Sequence, residues 1–158
     1  MKRAVSVLVF GLMFVLGSTA VQAAPTIPLP VNGLASGIEL CPQFICKIAI
    51  FTGVFQGQIG NNPNAIGVVT VALNHTDLPT DKVKPALITQ GAWQLQSFPK
   101  SFGGTVIGGY IFFVEEKLFE VQIYLKANDG RTLFFDGYLD HHPTIPTVKG
   151  AFTPTSIP

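Results

Sequence analysis

The feature that most constrains this 158-residue chain is a period of two in its apolar residues between Thr105 and Asp140. Three segments, 105–114, 117–127 and 131–140, alternate in this way and are separated by two short turns. Such alternation is typical of β-strands, and no stretch of the chain shows a comparable period of 3.6 residues. The sequence therefore predicts a meander of three antiparallel strands.

The register of this meander follows from placing apolar residues opposite one another, because a slip of one residue moves every side chain to the other face. A three-residue loop at 128–130 pairs Leu125 with Leu133 and gives Gly130 the left-handed position of a G1 bulge. In the preceding hairpin, a two-residue turn at 115–116 extends the same face, although Glu-Glu is a poor type I′ turn and a longer loop stays open. The predicted core face consists of Val106, Tyr110, Phe112, Phe119, Val121, Ile123, Leu125, Leu133, Phe135 and Leu139.

The opposite face of the meander mixes apolar and polar residues, whereas a face in contact with solvent should be mostly polar. It carries Ile107, Ile111, Phe113, Leu118, Tyr124, Phe134 and Tyr138 together with Glu120, Gln122, Asp136 and Asp140. A second sheet, the N-terminal arm, a subunit interface or an apolar ligand in a barrel lumen would each account for this mixture. The candidate ligand-binding residues are Gln122, Tyr124, Phe134, Asp136 and Tyr138.

Glycines recur inside several of the predicted strands, which indicates coiled strands or close packing beneath aromatic side chains. Gly53 and Gly57 lie in a strand candidate at 47–59, and further candidates occupy 66–74, 92–96 and 148–153. The predicted fold is all-β: a small antiparallel β-barrel of about six to eight strands, calycin-like in general shape, with a β-sandwich as the alternative.

The first 23 residues have the three parts of a secretory signal peptide. Lys2 and Arg3 are basic, 4–16 is apolar, and Val21-Gln22-Ala23 is a small-residue cleavage site. The apolar run is too short to cross a bilayer core of about 30 Å, so we expect a secreted or periplasmic protein that does not span the membrane. A bacterial and a eukaryotic source both remain open.

We expect the chain after the signal peptide to have three parts. We expect an extended arm rich in Pro and Gly at 24–40, the β-domain at 41–153 and a tail at 154–158. In an oxidising compartment Cys41 and Cys46 are expected to form a disulfide, which for so short a loop stabilises the chain by about 2 kcal/mol. A redox pair is the rival interpretation, but the spacing is not that of a C-x-x-C motif.

Two sets of residues are candidates for chemistry. Asp136, Asp140 and Glu120 could supply a general acid and base if they share a covered site. His75, Asp140, His141 and His142 follow strand ends, and they could bind a metal such as zinc if those ends share a rim. No fixed ligand spacing supports the metal, and the sequence predicts no cofactor.

The balance of charged residues argues against nucleic acid as a partner. Once the signal peptide with Lys2 and Arg3 is removed, the chain has eight basic and nine acidic residues, and Arg131 is its only arginine. Binding to nucleic acid needs a dense basic surface, which this composition does not provide. The sequence favours a non-catalytic β-domain that binds a small apolar ligand, a glycan or a protein partner through a lumen, a sheet face or a rim. A carboxylate-based hydrolase or isomerase working in a barrel lumen, and a self-associating envelope protein, are the alternatives; a homo-oligomer is compatible with all three.

Overall fold

The computed structural model describes residues 31–41 and 47–156, and these form an all-β structure without helices. Eight antiparallel strands follow one another around a closed barrel, each pairing with the next, and the last pairs with the first. The strands are β1 (Val31–Leu40), β2 (Ile48–Ile59), β3 (Asn62–His75), β4 (Ala86–Ser97), β5 (Lys100–Glu115), β6 (Leu118–Ala127), β7 (Thr132–Asp140) and β8 (Thr147–Pro154). The predicted barrel is confirmed.

The first strand lies where the sequence analysis placed an arm. We expected the domain to begin at Cys41, but Val31–Leu40 pairs with both β2 and β8 and thereby closes the barrel. Gly33 and Gly37 suggested chain breaks, yet each stands opposite another glycine, on β2. The signal peptide, residues 24–30 and Cys46 lie outside the described residues, so the predicted disulfide stays a prediction.

The predicted register of the last hairpin is confirmed. Leu125 stands opposite Leu133, and the pairing continues in register along β6 and β7. Ala127 N–H donates to the Arg131 carbonyl over 2.8 Å, which closes a three-residue loop. Within that loop Gly130 has φ of +89°, a left-handed conformation that costs glycine little.

The predicted faces of β5 are wrong beyond Ile107, which is exposed as expected. The pairing of β5 with β6 shifts between Val106 and Gly108, and a bulge of one residue moves every later side chain to the other face. Tyr110 and Phe112, expected in the core, therefore face outward, while Ile111 is 3% exposed. The hairpin turns at 116–117, one residue later than expected.

Cross-strand pairs of glycines make room for aromatic rings inside the barrel. Gly137 stands opposite Gly150 on β8, and a Cβ atom built on Gly150 would lie 2.5 Å from Cζ of Phe135. The Phe135 ring packs against Phe152, with 4.9 Å between the ring centroids. The predicted role of strand glycines beneath aromatic side chains is confirmed here.

Candidate functional site

The interior of the barrel is filled with apolar side chains. Phe55 and Leu125 are completely buried, as expected because eight strands enclose a space that side chains can fill. The cavity that remains among Phe51, Ile123 and their neighbours has a volume of about 40 Å³. That volume holds a water molecule or two, but no organic ligand enters without repacking of the core.

The ligand-binding residues predicted from sequence do lie on one face, and it is the outer face of the barrel. Asp136 and Tyr138 point away from the interior, as does Gln122 on the neighbouring strand. Tyr124 and Phe134 stack on each other with 5.0 Å between ring centroids and are half-buried. A lumen site therefore cannot be built from these five residues, whereas a sheet-face site can.

Asp136 and Tyr138 line an open groove on the outside of the barrel, with a volume of about 670 Å³. The outer groove crosses β2, β1, β8, β7 and β6, and small residues form its floor: Ser36, Gly137, Gly150 and Ala151. Leu34, Val54 and Gln56 line one side, and Glu120, Asp136, Tyr138 and Lys149 line the other. One side of the outer groove is thus mostly apolar and the other carries an aromatic ring and charges.

Strand register explains how these side chains come together. Tyr138 stands opposite Glu120 on β6 and opposite Lys149 on β8, so one row of the sheet places a ring between a carboxylate and an ammonium group. The Tyr138 side chain is 53% exposed. Gln122 Nε2 donates to Glu120 Oε1 over 2.7 Å, which holds that carboxylate in position beside the ring.

The three predicted catalytic carboxylates all lie on the outside of the barrel. Glu120 and Asp136 line the outer groove, while Asp140 lies at the end of β7. The hydrogen bond from the His142 backbone N–H, with a second from its imidazole, lowers the pKa of the Asp140 carboxyl. None of the three faces the enclosed interior in which a lumen enzyme would work.

The histidines share the rim of the barrel where β3 and β7 end, as the sequence suggested, but they do not converge. His141 Nε2 donates to Glu39 over 2.8 Å and His142 Nδ1 donates to Asp140 over 2.7 Å. Within 31–41 and 47–156, no group of three or more His, Cys, Asp or Glu side chains is arranged to hold a metal. Instead, His142 pairs with Asp140, His141 pairs with Glu39, and His75 bonds to a backbone carbonyl.

Glu39 is the carboxylate that sequence reasoning missed. It points inward from β1, is 5% exposed and lines the small interior cavity. Its partner His141 stacks edge-on against Phe119 with 5.5 Å between ring centroids. The period of two in Val31–Leu40 could have signalled an inward position 39, since residues 31 and 35 are also inward.

His75 also points inward at this rim. Its Nδ1 donates to the Thr76 carbonyl over 2.6 Å, and because a carbonyl only accepts, Nδ1 carries a proton. The buried Nε2 has no hydrogen-bond partner among the described residues. This nitrogen stands apart from the outer groove and from the Glu39–His141 pair.

Comparison of the chain with family profiles, with curated proteins and with solved structures finds no match. In the described part of the chain, no helix has the length and apolar character needed to cross a membrane.

Proposed function

We propose that this chain is an exported, non-catalytic binding protein and that its outer groove binds a neutral or amino-containing oligosaccharide. The observation that carries the proposal is the position of Tyr138, a half-exposed ring between the Glu120 carboxylate and the Lys149 ammonium group in an open groove. The outer surface is the better candidate for a binding site because the interior cavity of the barrel is too small for a ligand.

The chemistry of the outer groove suits a sugar chain better than an apolar ligand. A sugar ring presents C–H groups on its faces and hydroxyls around its edge. The Tyr138 ring and the Leu34 side chain offer apolar contact to the faces, while Asp136, Glu120 and Gln56 offer hydrogen-bond partners to the hydroxyls. A volume of about 670 Å³ lies within the usual range of about 300–1,000 Å³ for ligand sites.

The charge of the outer groove indicates which class of sugar fits it. Asp136 and Glu120 contribute two carboxylates and Lys149 one ammonium group, so the groove has an excess of negative charge. Acidic sugars such as uronates would be repelled, whereas neutral sugars and amino sugars would not. The groove is open along its length, which favours an extended chain over a single compact ligand.

The test is a binding screen with neutral, amino and acidic oligosaccharides, followed by calorimetric titration of those that bind. We expect binding of a neutral or amino-sugar chain, and we expect Tyr138→Ala to weaken it about tenfold or more, which corresponds to about 1.4 kcal/mol. Asp136→Asn should weaken it by a similar factor because it removes a charged hydrogen-bond acceptor.

Tyr110→Ala is the matched control. Tyr110 is an outward tyrosine on β5 that is 41% exposed and does not line the outer groove, so its loss should leave the affinity unchanged. Equal weakening by Tyr138→Ala and Tyr110→Ala, or binding of acidic chains alone, would overturn the proposal.

A further inference from the structure

A surface free of charge covers strands β1–β4, and its part on β1 and β2 forms one side of the outer groove. Strands β1–β4 are described in full, and among Asp, Glu, Lys and Arg they contain only Glu39, which points inward. By contrast, the shorter strands β6–β8 carry five such residues, all of them outward or at strand ends. The remaining strand, β5, adds Lys100 and Glu115 at its two ends, so the outward charges of the barrel wall lie on β5–β8.

Four exposed aliphatic side chains form a contiguous apolar patch at the centre of this surface. They are Leu34 on β1, Val54 on β2, and Ile66 and Val68 on β3, with exposed fractions of 67%, 52%, 64% and 50%. Register brings them together, since Val54 stands opposite Val68, and Gln56 links Leu34 to Ile66. The neighbours at the edge, such as Asn64 and Gln96, are polar and uncharged.

This arrangement has the anatomy of a protein interface, with an apolar centre depleted of charge and a polar rim. Four strands about 4.8 Å apart and ten residues of about 3.3 Å give a footprint of about 600 Å². Two such surfaces would bury about 1,200 Å² in total, which is the lower limit for a specific interface.

We propose that the apolar patch is the contact between two copies of this chain, paired about a two-fold axis. A partner with charged side chains would have to desolvate them against a face that offers no opposite charge. A second copy brings the same uncharged surface, and two-fold pairing places patch against patch. Leu34 and Val54 also line the outer groove, so a dimer and a bound sugar chain would compete for them, whereas Ile66 and Val68 do not line it. Variants at Ile66 and Val68 therefore test the dimer without removing a side chain of the groove.

Sedimentation equilibrium of the purified protein tests the proposal. We expect a dimer, and we expect Ile66→Asp to raise the dimer dissociation constant about 30-fold or more, as for a residue at the centre of an interface. Val68→Thr, which nearly keeps the side-chain shape, should weaken the dimer by a smaller factor, and circular dichroism checks that both variants fold.

Ile107→Asp is the matched control, because Ile107 is an exposed aliphatic residue on β5, outside the surface formed by β1–β4. It should leave the dimer intact. A wild-type monomer at every concentration would overturn the proposal, as would folded Ile66→Asp and Val68→Thr variants that dimerise like wild type. A monomer that floats with phosphatidylcholine vesicles would assign the patch to a lipid surface and overturn it as well.

Discussion

The Glu39 carboxylate accepts a hydrogen bond of 2.8 Å from Nε2 of His141, a residue 102 positions further along the chain. This contact joins β1 to the segment that follows β7, and the Glu39 backbone N–H donates to the Pro146 carbonyl beside it. The pair closes the rim of the barrel where the first and last strands meet. Because the Glu39 carboxylate is buried, removing its partner measures how much this pair stabilises the closed barrel.

We predict that His141→Ala lowers the free energy of unfolding by about 3 to 5 kcal/mol, because it leaves a buried carboxylate without its hydrogen-bond donor. The double variant Glu39→Leu/His141→Ala removes the carboxylate as well and should recover most of that loss. Urea denaturation of wild type, both single variants and the double variant measures the coupling. A double variant as unstable as His141→Ala would contradict this account of the pair.

The loop between β6 and β7 should make stability depend on pH. The side-chain hydrogen bond from Arg131 lowers the pKa of Asp129 below its usual 3.8, and the Arg131 side chain is 7% exposed. A depressed folded pKa stabilises the protein above the unfolded pKa, and the effect is lost as the pH falls through the folded value. Asp129→Asn should therefore cost about 1 kcal/mol at neutral pH and nothing in strong acid.

Urea titrations of wild type and Asp129→Asn across this pH range provide the measurement. A stability difference that persists unchanged well below pH 3.8 would show that the ion pair does not cause it.

The glycine pair between β7 and β8 should tolerate no side chain. A Cβ atom at Gly150 would lie 2.5 Å from the Asp136 carbonyl oxygen as well as from the Phe135 ring. We expect Gly150→Ala to lower the free energy of unfolding by about 3 kcal/mol, which is the upper part of the range for overpacking. Gly130→Ala is the control, since nothing lies within 4 Å of its Cβ position and its left-handed backbone costs about 1 kcal/mol. Equal losses would contradict the packing argument.

The chain's single tryptophan reports on the interior. Trp93 is 4% exposed and its indole N–H donates to the Lys126 carbonyl over 3.4 Å. Its fluorescence should be blue-shifted and resistant to acrylamide quenching in the native protein, because the indole lies in an apolar core. Strong quenching before any unfolding would indicate that the barrel is open along β4.

The sequence predicted the parts of the fold in which local pattern and tertiary packing agree. In the hairpin of β6 and β7, the requirement that Leu125 face Leu133 and that Gly130 occupy the loop admits one register, and the structure has it. In β5 the same rule failed, because the bulge before Gly108 reverses the faces. A run of alternating residues carries no signal of where its phase changes.

Sequence reasoning missed two other features for related reasons. Gly33 and Gly37 resemble chain breaks until their partners on β2 are known to be glycines too. Glu39 resembles a surface charge until His141 is brought to it. The candidate site was predicted in part: Asp136 and Tyr138 lie in the outer groove, but its apolar side comes from β1 and β2, which no local pattern places beside them.

The central claim is that the ligand binds on the outside of the barrel, and amide NMR spectra recorded during titration with the best-binding oligosaccharide test it most directly. The account predicts shifts at Asp136, Tyr138 and Lys149 on the outer groove, with no change at Phe51 and Leu125 in the interior. Shifts concentrated at Phe51 and Leu125, with the outer groove unaffected, would contradict it.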